Sequence, residues 1–194
     1  MKHLGYSGGL VLIAALLLAP PSQAIAQGPQ VRQSLKAAVM QRLGADTDIT
    51  ITYGRPGVKG RKIWGALVPY GMAPGNQYSK NQPFPWRAGA NENTTIEFNK
   101  DILIEGKPLA AGKYGLHMIP SEKEWTIIFS KTNSAWGSFS YKPEEDALRV
   151  TVTPVAAPFE EWLTYGFEDL AGSSATAFLR WEQLKVPFKI SLPQ

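Results

Sequence analysis

Arg55, Lys59, Arg61 and Lys62 place four cations within eight residues of the run Gly54-Arg55-Pro56-Gly57-Val58-Lys59-Gly60-Arg61-Lys62-Ile63-Trp64-Gly65. The interleaved glycines and proline force turns, which fix side chains on short loops. A second run, Trp86-Arg87-Ala88-Gly89-Ala90-Asn91, sets another arginine between an aromatic ring and an amide. An arginine held by a turn presents a planar fork that matches two oxygens of a carboxylate, phosphate or sulfate. A neighbouring tryptophan offers a face for a sugar ring or a guanidinium. Arg55, Lys59, Arg61, Trp86, Arg87 and Asn91 are therefore the candidate ligand-binding residues, for an anionic small molecule or a glycan. The competing structural reading has the arginines pin loops by pairing with carboxylates such as Asp146 and Glu168. The two differ in energy. Truncating a buried, paired arginine costs about 3–5 kcal/mol of stability. Truncating a binding arginine costs affinity instead.

Other chemistries lack their residues. The chain has no cysteine, which excludes thiol nucleophiles, thiolate metal sites and redox pairs. Beyond His3, His117 is the one histidine, and no Gly-x-Ser-x-Gly turn accompanies it. A lone strand histidine reads as a hydrogen-bonded structural residue. No ligand spacing supports a metal site, and no phosphate or dinucleotide glycine motif implies a cofactor. Two-carboxylate acid–base chemistry stays open, with Glu97, Asp101, Glu105, Glu160, Glu161, Glu168, Asp169 and Glu182 as candidates. It requires a pair roughly 5–9.5 Å apart, and no catalytic residue is assigned.

The elements that must position these residues are short strands. Asp48 to Tyr53 and Thr94 to Phe98 alternate apolar and polar, as a strand with one buried face does. Ile102–Ile104 follows the turn Asn99–Asp101 as the expected hairpin partner of the second. Lys113–Ile119, Trp125–Ser130, Leu148–Thr153, Trp162–Phe167, Ala175–Trp181 and Val186–Ile190 continue the series. With 15 prolines and 18 glycines between them, about nine or ten strands predict an all-β, single-domain antiparallel sandwich, jelly-roll-like or barrel-like. Val31, Leu35, Val39 and Leu43 recur every fourth residue, as on a helix, yet Val39, Gln41 and Leu43 also alternate. The favoured reading is a strand over 38–43 with a frayed or helical approach. Residues 71–84 and 132–146 read as long loops.

Residues 1–26 read as an export leader. Lys2 and His3 precede the apolar run Leu10–Ala19, which is too short to span a bilayer, and Ala24-Ile25-Ala26 supplies the small-x-small cleavage signature. The expected product is one domain, residues 27–194, periplasmic or secreted, with no later membrane span. The absence of cysteine excludes a lipid-anchored lipoprotein. A formal net charge of +4, reduced by one on loss of Lys2, is mild and shows no basic stripe, so nucleic acid is not an expected partner.

The same motifs carry a resemblance. Gly54-Arg55-Pro56, Lys59-Gly60-Arg61, Ile63, Gly65 and Leu67-Val68-Pro69-Tyr70-Gly71 resemble the signature of the domain-of-unknown-function 2911 family of exported bacterial proteins. So do Trp86-Arg87, Gly89-Ala90-Asn91, Ala111-Gly112, Tyr114, Ile119-Pro120, Trp125-Thr126, Trp136-Gly137 and Trp181-Glu182. The resemblance runs from about residue 38 to residue 190. It implies export, an all-β fold and a hairpin over 38–53, and it brings no activity or cofactor. In the family pattern the Pro-Tyr-Gly and Trp-Arg elements nearly touch. Here residues 72–85 separate them, a loop placed to cover or block a pocket between the two. The leading expectation is a non-catalytic binding module. A carboxylate-dependent hydrolase and an envelope-assembly protein using exposed strand edges are the alternatives.

Overall fold

The strand Thr47–Arg55 shows how residue alternation becomes architecture. Ile49, Ile51 and Tyr53 are buried, while the intervening Asp48, Thr50 and Thr52 are partly exposed. The computed structural model describes Met1 and residues 31–193. The expected leader over 1–26 thus lies, but for Met1, outside the described residues. Arg32–Gln194 form one compact unit. Among the described residues no helix is long and apolar enough to cross a membrane.

Ten strands build two antiparallel sheets. The larger has the order β1 (Leu35–Leu43), β2 (Thr47–Arg55), β3 (Thr95–Phe98), β6 (Gly112–Ile119), β7 (Trp125–Ser130), β8 (Asp146–Val152). The smaller has the order β5 (Lys107–Leu109), β4 (Ile102–Ile104), β10 (Ser174–Ser191), β9 (Val155–Ala171). The sheets do not close into a barrel. Their inner faces meet in a core that joins Ile51, Ile96, Leu116, Ile127 and Val150 to Ile104, Leu163, Leu179 and Phe188. The expected all-β sandwich is therefore the observed fold.

Three local expectations need correction. β1 starts at Leu35, with no helical approach, and pairs with β2 along its whole length from Leu35↔Arg55 to Leu43↔Thr47. A spacing of four fits both periods, because four is a multiple of two, so Leu35, Val39 and Leu43 share a strand face as well. The turn after Phe98 does not close a hairpin. It carries the chain into the other sheet, where β4 pairs with β5 and β10. Finally, the polar stretch Glu182–Lys185 does not end a strand. It is absorbed in β10 by register shifts between Arg180 and Leu184, with Glu182 at φ +57°, so two expected strands are one.

On β6 and β7 the outward-facing residues Gly115, His117, Ile128 and Ser130 are buried too. The loop 132–146 covers them. A Cβ on Gly115 would lie 2.4 Å from the Thr132 carbonyl oxygen, so the absence of a side chain lets the loop lie flat on the sheet. Gly115→Ala should cost about 1–3 kcal/mol in chemical denaturation. An unchanged denaturation midpoint would show that the loop yields freely.

Candidate functional site

β3 spans only four residues, which leaves the second half of β6 without a partner from that strand. Thr94 accepts from the Leu116 amide (2.8 Å), and Trp86 then exchanges two backbone hydrogen bonds with Met118 (2.9 and 2.8 Å). Residues paired in this way point to the same face. Trp86 accordingly enters the core side, stacked on Trp181 (centroids 6.1 Å apart, 16° between planes), with Trp64 edge-on to both. Arg87 falls on the opposite face, over His117.

Arg87 has little to neutralise it. Its Nη1 donates to the Asn91 carbonyl (2.6 Å), its guanidinium lies 5.0 Å from the Phe139 ring, and no carboxylate pairs with it among the described residues. Burial holds its pKa below the ordinary arginine value. The guanidinium packs flat on Gly137, where a Cβ would meet its central carbon at 2.2 Å and where φ is +70°. Glycine is required there twice over, by space and by conformation.

The run after β2 brings the other cations. Residues 56–58 pair with the outer edge of β9, the Val58 amide donating to Glu161 (2.8 Å) and the Leu163 amide to Pro56 (3.0 Å). Lys59 at φ +47° and Gly60 at φ +67° then reverse the chain. Arg61 folds back, its Nε and Nη2 donating to the carbonyls of Val58 (3.1 Å) and Gly57 (2.6 Å). The Lys59 ammonium lies 5.8 Å from the Trp162 ring.

These two segments meet around a cleft of about 450 Å³. Five of the six sequence-nominated residues line it: Lys59, Arg61, Trp86, Arg87 and Asn91. Arg55 does not. Its Nε and Nη2 donate to the Leu163 carbonyl (2.9 Å) and the Thr164 hydroxyl (2.7 Å), tying β2 to β9. The expected loop-pinning through Asp146 and Glu168 is also corrected. Asp146 accepts from Arg149 (2.6 Å) and Tyr141 (2.7 Å), and Glu168 accepts from Lys185 (2.6 Å). The arginines of the turns hold carbonyl oxygens, which leaves their positive charge uncancelled. Trp181, Phe84 and Phe139 also line the cleft and were not nominated. Inward parity along β10 was the available signal for Trp181. Nothing in the local sequence marked the two phenylalanines, which come from the long loops.

Among the described residues no Asp or Glu lines the cleft. Six of the eight candidate carboxylates are engaged elsewhere. Asp101 and Glu105 accept from the amides of Ala111 (2.8 Å) and Lys189 (2.5 Å), and Glu161 accepts from the Lys59 amide (2.9 Å). Glu160 and Glu182 stand opposite each other on β9 and β10. However, Arg180 engages Glu160, and the Gln183 amide engages Glu182. Among the described residues no cluster of three or more His, Asp or Glu could hold a metal ion.

His117 is 2% exposed and Ser138 is 1% exposed. Their Nδ1···Oγ contact of 2.8 Å fastens the covering loop to β6 and is shut away from any substrate, which leaves no route for a serine nucleophile. Burial first, and the Arg87 cation second, push the His117 pKa down to about 4.

The family model for proteins of unknown function (DUF2911) matches residues 34–190, and the chain belongs to that family. No curated protein and no solved structure matches the chain significantly.

Because the folded pKa of His117 lies below its ordinary 6.5, the unfolded chain binds more protons between those values. The contribution of neutral His117 is complete above about pH 6.5 and is lost as pH falls to about 4. The loss should be on the order of 3 kcal/mol. Denaturation of wild type and His117→Gln across this window checks it: the variant should show a flatter profile, and parallel profiles would contradict the assignment.

Proposed function

We propose that this protein is an exported, non-catalytic binding module whose cleft takes an anionic ligand. The single observation that carries the reading is the charge imbalance of the cleft. Among the described residues Lys59, Arg61 and Arg87 line it without one carboxylate, and the half-buried Arg87 has a carbonyl oxygen, an aromatic face and Gly137 around it. A desolvated cation without a counter-charge is costly, and an incoming anion removes that cost. The loops hold the guanidinium and aromatic groups in place before a ligand arrives, which lowers the ordering cost of binding. Export is supported by the leader pattern of residues 1–26, and the same pattern supports a periplasmic or secreted location.

The alternatives have less behind them. A two-carboxylate hydrolase would require acids in the cleft, and none of the described residues that line it is an acid. An assembly surface would require a gathered apolar patch, whereas Val155, Phe159, Trp162 and Leu170 are strung along β9.

Thermal unfolding with sulfate, phosphate and sugar acids tests the reading, using Arg87→Met to keep the packing on Phe139 and Gly137. An anion at a hundred times its dissociation constant should stabilise the parent by about 2.7 kcal/mol. Arg87→Met should melt within a few degrees of the parent and lose the response. No response to any anion, with Arg87→Met melting far lower, would make Arg87 a structural residue and remove the proposal.

A further inference from the structure

The cleft does not end at Phe139. The same ring also lines an adjoining hollow with Tyr78, Trp136 and Ser140, so one aromatic residue joins the cationic cleft to an open shelf. Two loops build that shelf. Residues 71–84 are closed at their base by paired backbone hydrogen bonds between Ala73 and Phe84 (2.8 and 3.1 Å). Within them, the Asn76 side chain accepts from the amides of Tyr78 (2.8 Å) and Ser79 (3.1 Å), which fixes the turn that presents Tyr78. The Tyr78 and Phe84 rings then pack on Phe139 of the second loop (centroids 5.5 and 5.1 Å). The loop between the Pro-Tyr-Gly and Trp-Arg elements therefore extends the cleft and does not block it.

The exposure of the shelf decides what suits it. Tyr78 is 70% exposed and Trp136 is 59% exposed, so both rings face water. An acyl chain laid across them would keep one side in water and gain little. A sugar ring is amphipathic in the required sense: its C–H face covers an aromatic ring while its hydroxyls stay hydrated. The uncancelled cations at the other end call for acid groups on that same ligand.

Resting on the proposed function of the cleft, we infer that the ligand is an acidic oligosaccharide. One acid-bearing ring sits against Arg87, and further rings run over Phe139 onto Trp136 and Tyr78. Chain length is then a determinant of affinity, because rings beyond the first reach aromatic faces that a single sugar acid does not.

Calorimetric titration of the purified protein distinguishes the components. The probes are galacturonic acid, 1,4-linked galacturonate and mannuronate tetramers, a neutral glucose tetramer of the same linkage, sulfate and dodecanoate. At least one acidic tetramer should bind about tenfold or more tighter than galacturonic acid, a difference of about 1.4 kcal/mol. Trp136→Ala and Tyr78→Ala should each weaken binding of that tetramer and leave the monomer unchanged. Arg87→Met should abolish both. Equal binding of monomer and tetramers, or sulfate alone binding through Arg87, would overturn the extended site while leaving the anionic cleft intact. Tighter binding of dodecanoate than of either tetramer would make the occupant an acyl chain and overturn the inference. Equal binding of neutral and acidic tetramers would overturn the anionic cleft as well, and so would silence from every probe.

Discussion

The reciprocal hydrogen bonds between Trp86 and Met118 are the constraint on which the site depends. They exist because β3 is too short to cover β6, so a loop residue completes the ladder. That single pairing assigns opposite faces to two neighbours. Trp86 must go inward, where Trp64, Trp125 and Trp181 receive it, and Arg87 must go outward over His117. A shift of one residue would bury the guanidinium among tryptophans and expose the indole. The core thus enforces the position of the charge.

The burial of Arg87 in turn depends on the loop 132–146. This loop seals the outer face of β6 and β7 by lying on Gly115, by the His117–Ser138 contact, and by Gly137 beneath the guanidinium. Sealing that face desolvates Arg87 without bringing it a counter-charge, and the same cation helps to keep His117 neutral. The acidic groups in the vicinity are already committed. Asp146 belongs to Tyr141 and Arg149, and Glu161 belongs to the turn at Lys59. The positive character of the cleft follows from where the carboxylates go as much as from where the cations are.

Much of this was legible from residue order because it is local. The alternation in Thr47–Arg55 marks its inner face, and the two glycine-punctuated runs carry five of the six nominated residues to one cleft. What failed was non-local. Arg55 differs from Arg61 only in partners more than a hundred positions away, on β9, which no neighbouring residue announces. The crossing of the chain from β3 to β4 depends on which sheet has a free edge, and that is decided by β10. Phe139 and Tyr78 sit in stretches without periodicity, so their shared role appears only when two loops far apart in the chain touch. The merging of the last strands reflects tolerance of a bulge at Glu182, a conformation that composition disfavours and cross-strand pairing supports.

The strand order of the smaller sheet also governs when the fold can be completed. β10 is the last strand of the chain, yet it stands in the interior of that sheet, between β4 and β9, and supplies Trp181 to the tryptophan cluster. Until residues 174–191 are available, β9 has only its short pairing with residues 56–58 and β4 has only the three-residue β5. A chain emerging in vectorial order from a ribosome therefore has to present residues 174–191 before it can lock. Its apolar strands stay without their layer until the final segment arrives, which makes completion of the sandwich a late and all-at-once event.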